Sequence, residues 1–354
     1  MSFVSNYPFT AEAQLVCSLP ANVIGQICEH LEEHRAQVRV QAGRGEAVFD
    51  KGSIRLWEDG GRFALKVMAA TSGDLLALRE VAASHFIEFS KRPAEELIWS
   101  GHGIDAVHPS FFRLMTVKRA RMVAPRMRRV TLTGQDLARY SSNADLHVKL
   151  LFPPISSAPL WPELMPSGLV RWPEGPNKPA VRKYTIRRID VATGEIDVDF
   201  VLHDDPGPGS KFGASASSGD RVGMIGPGGR SVPAASYYLL LGDETAIPAI
   251  GRIMDTLSGS QRGLALIEVD SPADEVPLSS KAGLEVRWIH RDAGASLASA
   301  VQELDLPDQA GTFVWAGAEF ETFRDLRRFF RRGCKIPPAQ QLIVSYWRKG
   351  AEAA

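Results

Sequence analysis

The first hundred residues alternate between helical and extended patterns of apolar positions. Apolar side chains recur every three or four positions over residues 21–35 and predict a helix. The short alternating runs that follow, among them RFALKVMA, predict half-buried hairpin strands. A capping-box sequence at 71–74 predicts the start of a second helix. These patterns indicate a small α+β domain over residues 1–100, and the aperiodic stretch 99–110 is expected to be a linker.

Residues 111–232 carry short alternations of apolar and polar positions, separated by glycine and proline turns. The run FRLMTVKRARMVAPRMRRVTLTG predicts two strands that break at Ala124-Pro125, and LHVKLLF, VRKYTIRRID and EIDVDFVLH predict further strands. Residues 153–179 contain eight prolines and predict a long irregular loop, of the kind that is functional or disordered. A meander of short strands predicts an antiparallel β-barrel.

From Tyr237 onward, continuous apolar strands alternate with helical segments. YYLLLG is a strand of the buried type, and the helix AIPAIGRIMDTL tolerates Pro248 in its first turn. Further strands are GLALIEV, EVRWI, GTFVWAG and QLIVSYW, with helices around 295–304 and 319–332. This alternation predicts a parallel, doubly wound α/β domain over residues 236–350. The chain is thus expected to be multidomain, and a barrel followed by such a domain suggests, by analogy between folds, a flavin on the barrel and a nicotinamide on the sheet.

The composition excludes several classes of function. The 41 basic residues balance 41 acidic ones, which argues against a general nucleic-acid binder. No apolar run reaches the roughly 18 residues of a membrane-spanning helix, and the first residues lack the pattern of a secretory signal. Three scattered cysteines without a CxxC motif predict neither a disulfide framework nor a metal–cysteine site. We therefore expect a cytoplasmic protein with no membrane or nucleic-acid partner.

The strand around Tyr184 offers side chains that suit a planar, anionic cofactor. Because side chains alternate along a strand, Arg182 and Tyr184 share one face and Thr185 lies on the other. A tyrosine can stack on a flavin ring, a threonine can hydrogen-bond it, and an arginine can bind a diphosphate. The same residues also fit a basic, solvent-exposed strand.

Two turns are further candidates for binding nucleotides. After the next strand, the backbone N–H groups of Gly209 and Ser210 would approach a phosphate at a helix N-terminus, although an ordinary turn has the same pattern. Residues 242–245 follow the first strand of the α/β domain, at the sheet edge where ligands bind. Their acidic pair suits helix capping equally well.

Five motifs occur in order over about residues 110–350: VRKYTIR, VLHDDPGPGSKF, GDRVGMIGPGG, LGDETAIPAI and SYWRKG. Together they resemble the siderophore-interacting protein family, the ferric-siderophore reductases of the ferredoxin–NADP reductase superfamily. Residues 1–100 lie outside this resemblance and are similar to a small domain of unknown function that is sometimes fused to such reductases.

The resemblance implies roles for particular residues. Lys149 is expected to hold the anionic ferric chelate. Many members carry a G-P-R-G turn where this chain has residues 226–229, so that basic contact is either missing or moved to Arg230, which is the second residue expected at the chelate. The nicotinamide nucleotide, NADPH or NADH, is expected beside Asp243, Glu244 and Thr245. The residues expected to contact FAD are Arg182, Tyr184, Thr185, Val201, Leu202, His203, Gly209 and Ser210, with Tyr346 and Trp347 near the flavin.

The implied activity is an FAD-containing reductase that passes electrons from NAD(P)H to a ferric siderophore and releases Fe(II). Reduction weakens the complex because Fe(II) is a poorer match for the hard oxygen ligands of siderophores. Two alternatives stay open: a flavoreductase with another acceptor or a ferredoxin donor, and a non-catalytic flavoprotein that binds ferric chelates. No catalytic acid–base pair is expected.

Several basic and histidine residues remain outside these motifs. The arginine-rich strands over residues 118–129 form either a steering surface or a solvated barrel face. Arg291, after a sheet strand, is a candidate for the 2′-phosphate of NADPH. His30 and His34 stand four residues apart, but HLEEH is not a metalloprotease motif and no third ligand is apparent, so no protein-bound metal is expected.

Overall fold

The computed structural model describes residues 7–16, 20, 22–142, 145–154, 159–204, 206–279, 283–305 and 311–350. The chain divides into two compact units, Met1–Phe112 with Pro154–Pro179 and Arg113–Pro153 with Ala180–Ala354. The strands and helices, in chain order, are β1 (Phe9–Val16), α1 (Val23–Glu33), β2 (Gln37–Gln41), β3 (Arg44–Phe49), β4 (Gly52–Asp59), β5 (Arg62–Ala69), α2 (Ser72–Ser90), β6 (Trp99–Gly101), β7 (Phe112–Ala124), β8 (Met127–Thr133), β9 (His147–Phe152), β10 (Glu163–Leu164), β11 (Val170–Arg171), β12 (Ala180–Asp190), β13 (Glu195–Val201), α3 (Pro208–Ser215), β14 (Arg221–Gly228), β15 (Tyr237–Asp243), α4 (Ile247–Thr256), β16 (Arg262–Val269), β17 (Gly283–His290), α5 (Leu297–Gln302), β18 (Thr312–Glu319), α6 (Phe320–Arg328) and β19 (Gln341–Trp347).

The first unit is built on an antiparallel sheet with the strand order β2-β3-β4-β5-β1-β6. Helices α1 and α2 contribute Ile27 and Phe86 to the same hydrophobic core as Phe63 of β5. The predicted cap is present, because the Thr71 side chain accepts a hydrogen bond from the Asp74 backbone N–H at 3.1 Å. The α+β architecture expected for this part of the chain is confirmed.

The proline-rich segment, predicted as an irregular loop between barrel strands, belongs instead to this first unit. It contains the short hairpin of β10 and β11. The Trp99 indole donates a hydrogen bond to the Ser167 carbonyl at 2.9 Å, and Leu169 packs against the core of the unit. The Leu164 N–H donates to the Val107 carbonyl at 2.8 Å. The segment is therefore anchored by backbone and core contacts.

The second unit contains a closed antiparallel barrel with the strand order β12-β13-β8-β7-β14-β9. Strands β7 and β8 are separated by Pro125, as the sequence predicts. Alternate side chains of each strand point inward, which places Val130, Leu150, Ile186, Val198 and Met224 in one buried cluster. The predicted antiparallel barrel is thus confirmed.

On the outer face of the barrel, basic side chains of the arginine-rich strands pair with carboxylates. Along β13, Asp197 and Asp199 alternate with the inward apolar residues and are themselves buried. Arg129 donates two hydrogen bonds to Asp199, at 2.6 and 2.8 Å, and Arg188 donates to Asp197 at 2.8 Å. Lys118 and Arg119 pair with Glu195 in the same way. These cations serve to cover buried carboxylates, so the structure offers little support for a steering surface made of them.

The remaining part of the second unit is a parallel sheet with the strand order β17-β16-β15-β18-β19. Separate apolar clusters cover its two faces, one around Ile250 of α4 and the other around Leu297 of α5 and Leu326 of α6. The predicted doubly wound α/β domain is confirmed. The helix expected over 319–332 ends at Arg328 and continues as a π-helical turn over Phe329–Gly333. After β15 the chain adds β16 and β17 on one side of that strand, and it then adds β18 and β19 on the opposite side. A topological switch point therefore lies between β15 and β18.

Within the described part of the chain, no helix combines the length and apolar character needed to cross a bilayer.

Candidate functional site

The side chains expected to hold a flavin lie on β12, which pairs with β9 on one side and β13 on the other. The Tyr184 ring packs against Phe200 with the ring centroids 4.5 Å apart and against Phe152 at 6.0 Å. Burial raises the pKa of Tyr184 well above its ordinary value, so the phenol is neutral at physiological pH. Arg182 is half-buried and donates one hydrogen bond to the Val181 carbonyl at 2.9 Å. The strand therefore presents a rigid aromatic ring beside a guanidinium group.

The turn at Gly209 and Ser210 lies directly beside this tyrosine. Both residues are buried in the first turn of α3, where backbone N–H groups have no partner within the helix. A Cβ atom on Gly209 would lie 2.0 Å from the Tyr184 hydroxyl oxygen, so only glycine fits there. The Ser210 hydroxyl accepts a hydrogen bond from the His203 N–H at 3.1 Å. The structure thus brings two separate predicted motifs into one place.

The carboxyl end of β13 borders a small cleft. Val201 and Leu202 line it together with the exposed His203, and Glu244 lines it from the parallel sheet. The Leu202 N–H donates to the Arg126 carbonyl at 2.8 Å, which holds this strand end in position. Burial lowers the pKa of His203, and the Arg126 cation lowers it further. The cleft therefore joins the end of the barrel to the edge of the sheet.

Tyr346 lies on β19, the last strand of the sheet. Burial raises the pKa of Tyr346 well above its ordinary value. The Tyr346 ring lies against Gly317, where an added Cβ would approach two ring carbons at 3.0 Å, and it meets Trp315 edge-on at 6.1 Å between centroids.

Asp243 organises the switch point of the sheet. Its carboxylate is 5% exposed and accepts hydrogen bonds from the Thr245 N–H at 2.9 Å, the Glu319 N–H at 2.9 Å and the Trp347 indole at 2.8 Å. The Thr245 hydroxyl is a fourth donor. Burial raises the pKa of Asp243, and these hydrogen bonds oppose the rise. Asp243 thereby ties together the ends of β15, β18 and β19, and its contacts are those of a positioning residue.

Arg291 is engaged by carboxylates of the protein. Its guanidinium group donates to Glu268 at 2.7 Å and pairs with Glu244 and Asp270. Burial by itself would lower the pKa of Arg291, but the carboxylates raise it above its ordinary value. The guanidinium group suggested for the 2′-phosphate of NADPH is therefore bound to three acidic side chains.

A second group of cations lies on the barrel near the start of β9. Lys149 and Lys183 are directly opposite each other on β9 and β12, and both are exposed. Burial lowers the pKa of the neighbouring His147, and Lys183 and Lys149 lower it further. His147 pairs with Gly228, two residues before the exposed Arg230. Among the described residues, neither lysine has a carboxylate within salt-bridge distance, in contrast to the arginine-rich strands.

Arg252 is a functional candidate that sequence reasoning missed. The side chain is 4% exposed and donates to the carbonyls of Ile186 at 3.0 Å, Tyr140 at 3.0 Å and Ser142 at 2.9 Å. It thus clamps α4 of the sheet onto the strand that carries Tyr184. No sequence signal reveals this role, because an arginine in the middle of an amphipathic helix normally faces solvent.

Models of known families match most of the chain. A model described as the siderophore-interacting FAD-binding domain matches residues 116–231, and one described as the siderophore-interacting protein matches residues 235–350. Residues 12–100 match a model of an uncharacterized protein conserved in bacteria.

Named relatives cover the same part of the chain. The ferric vibriobactin reductase ViuB of Vibrio cholerae is 30% identical over 254 residues, which are 70% of this chain and 92% of that protein. The NADPH-dependent ferric-chelate reductase of Escherichia coli is 31% identical over 242 residues, 67% of this chain and 92% of that protein.

Solved structures agree with this relationship. The siderophore-interacting protein SipS from Aeromonas hydrophila matches with a TM-score of 0.59 and 32% identity, over 68% of this chain and 93% of that one. A siderophore utilization protein from T. fusca matches with a TM-score of 0.57 and 35% identity, over 68% and 94%. These matches, together with the barrel, the parallel sheet and the five motifs in order, show that the chain belongs to the siderophore-interacting protein family.

Proposed function

We propose that this protein is an FAD-containing ferric-siderophore reductase that uses NAD(P)H. One observation carries the proposal: Arg252, on helix α4 of the sheet domain, donates a hydrogen bond at 3.0 Å to the carbonyl of Ile186, the residue that follows Thr185 on the strand with Tyr184. A barrel site for a flavin and a sheet site for a nicotinamide are thereby adjacent in one unit. The three functional regions are residues 1–100, 111–232 and 236–350. Free thiols at Cys28 and Cys334 and the use of NAD(P)H both favour a cytoplasmic location.

The residues present suit FAD. Tyr184 supplies an aromatic face held by two phenylalanines, and Arg182 supplies a guanidinium group for phosphate oxygens. The first turn of α3 supplies backbone N–H groups at Gly209 and Ser210, where a diphosphate is favoured by the helix dipole. Bound there, FAD would supply the conversion of a two-electron hydride donor into a source of single electrons, which a ferric ion requires.

The protein's own contribution is placement and electrostatics. Asp243 fixes the Trp347 ring through its indole N–H, and the Tyr346 ring packs against Gly317 and Trp315, so both aromatic residues stand at the sheet edge. The His203 and Trp347 rings lie 6.2 Å apart between centroids. This edge is where a nicotinamide would approach the barrel, beside Glu244 and Thr245.

The cations at Lys149, Lys183 and Arg230 suit an anionic ferric chelate. Ferric siderophores bind iron through hard, usually anionic oxygens, and a lysine attracts such a complex as a point charge. These cations are exposed, and no carboxylate of the described residues neutralises the two lysines. No acid–base pair is expected beside the chelate, because the ferric ion is reduced by electron transfer alone.

An anaerobic visible spectrum of the purified protein tests the proposal. We expect a flavin spectrum that bleaches with NADPH or NADH and recovers when a ferric catecholate is added together with an Fe(II) trap. A protein that cannot be loaded with FAD would refute the proposal. If ferredoxin reduces the flavin and neither nicotinamide does, the electron donor is a ferredoxin and not NAD(P)H. A flavin that is reduced without trapped Fe(II) would indicate another acceptor or a binding role.

A charge-removal pair tests the chelate site. Lys149→Ala should raise the KM for an anionic chelate by about fivefold, since a unit charge pair at about 4 Å contributes about 1 kcal/mol in bulk water. FAD content should not change. Lys118→Ala is the matched control, because this barrel lysine already pairs with Glu195. If the two variants have equal KM values, Lys149 does not belong to the chelate site.

A further inference from the structure

Three histidines of the first unit converge between α1 and α2. His30 lies in the last turn of α1, His34 is the C-cap of the same helix, and His85 lies on α2. The ring centroids form a nearly equilateral triangle, with sides of 5.1 Å (His30–His34), 4.9 Å (His30–His85) and 5.3 Å (His34–His85). One ring nitrogen from each residue lies within 4.8 Å of the other two. The third histidine, which was not apparent from the sequence, is thus His85 on a helix distant along the chain.

Two ring nitrogens of these histidines are buried without hydrogen-bond partners. His85 is 8% exposed, and its Nδ1 lies 2.7 Å from the Val81 carbonyl. That contact places the proton on Nδ1 and leaves Nε2 with a lone pair. Among the described residues, Nε2 of His85 and Nδ1 of His30 are buried and lack hydrogen-bond partners. Buried nitrogen atoms without partners are rare in folded proteins and require an explanation.

We propose that His30, His34 and His85 form a binding site for a divalent first-row transition-metal ion. Imidazole nitrogens suit Zn²⁺, Fe²⁺, Ni²⁺ and Cu²⁺. The Val81 carbonyl orients His85 by accepting its second ring N–H, which is the arrangement typical of metal-binding histidines. The exposed Glu33 carboxylate lies 3.6 Å from Nε2 of His30, which is beyond hydrogen-bond distance, and it adds negative charge on that side of the cluster. This site is separate from the proposed flavin site and belongs to the region of unknown function.

The electrostatic surroundings also suit a cation. Glu33 beside His30 and Glu88 near His85 supply negative charge that offsets a divalent ion.

The geometry requires only a small adjustment. Tetrahedral ligands with metal–nitrogen bonds of about 2.1 Å have nitrogens about 3.4 Å apart, so the rings must move together by roughly an ångström from their present spacing. His34 is exposed and at the end of its helix, so its ring is the one that can move. Its exposure also leaves a fourth coordination position open to water.

Metal titration of the full chain tests the proposal. Protein stripped with a chelator is titrated with Zn²⁺ and with anaerobic Fe²⁺ by calorimetry, and with Co²⁺ by its visible absorption. We expect one ion per chain at this site and a rise in Tm on binding. His34→Ala, at an exposed position, should keep the fold and weaken binding by about 100-fold or more, since even an orienting partner is worth 10- to 100-fold. His85→Ala should do the same, with circular dichroism to verify its fold.

The control separates this site from other histidines and from the reductase. His102→Ala alters an exposed histidine of the same unit that lies outside the cluster, and it should bind metal as the unmodified chain does. Flavin reduction by NADPH should be the same in His34→Ala and the unmodified chain, so the outcome is independent of the proposed activity. Absence of binding of all three ions, or equal binding by the unmodified chain and His34→Ala, would overturn the proposal.

Discussion

Replacing Gly209 by alanine tests the arrangement of the flavin site most directly. The added Cβ would lie 2.0 Å from the Tyr184 hydroxyl oxygen, 2.9 Å from Cζ and 3.1 Å from Cε2. The tyrosine ring cannot swing away freely, because Phe200 and Phe152 pack against it. The ring or the helix turn must therefore shift, and overpacking of this kind costs about 1–3 kcal/mol.

The cost should appear in FAD binding, since both residues belong to the proposed site. A loss of about 1–3 kcal/mol corresponds to a Kd for FAD that is about 5- to 150-fold higher. Fluorescence titration of the FAD-free protein measures this Kd. Gly207→Ala is the matched control: Gly207 has φ −68°, and a Cβ there meets nothing within 4 Å. Its Kd should equal that of the unmodified chain.

A double variant identifies the clashing atom. Tyr184→Phe removes the hydroxyl oxygen that lies nearest to the new Cβ, while the ring carbons at 2.9 and 3.1 Å remain. Gly209→Ala should therefore weaken FAD binding less in the Tyr184→Phe background than in the native one. If Gly209→Ala and Gly207→Ala bind FAD equally well, or if the two changes in the double variant are simply additive, the steric explanation is refuted.

Three further predictions concern the surroundings of the site. Asp243→Ala leaves buried N–H donors without an acceptor and should lower the unfolding free energy by about 3–5 kcal/mol in urea titrations. Trp347→Phe removes only one donor and should lower it clearly less. Equal losses for the two variants would contradict the role of Asp243 as the shared acceptor. Arg252→Met keeps the side-chain volume but removes the donors to three carbonyls, and it should cost about 2–4 kcal/mol, whereas an unchanged Tm would show that the clamp contributes nothing. The ring of His147 has a pKa below its ordinary value through burial and then Lys183, so its stabilising effect is present above the ordinary histidine pKa and is lost as pH falls through the lowered value. Lys183→Ala should raise the pKa of His147 in an NMR titration, and no change would remove this lysine as a cause.

Much of the local structure could be predicted from the sequence. The break between β7 and β8 at Pro125, the cap at Thr71 and the first turn of α4 at Pro248 depend on residues close together in the chain. Strand and helix periodicity decided the α+β, barrel and α/β architectures for the same reason. The helical segment predicted over 319–332 is present, but it changes from α-helix to π-helix after Arg328, and the apolar pattern does not encode that change.

The sequence by itself therefore determined the elements, the motifs and the order of the domains. Only the tertiary structure decided which distant residues meet: Arg252 with Ile186, Asp243 with Trp347, and His85 with His30. It also placed the proline-rich segment in the first unit and paired Arg129 of the arginine-rich strands with the buried Asp199. The physical reason is that a buried polar atom takes whatever partner the packing of distant elements brings within about 3 Å, and no pattern of neighbouring residues encodes that choice.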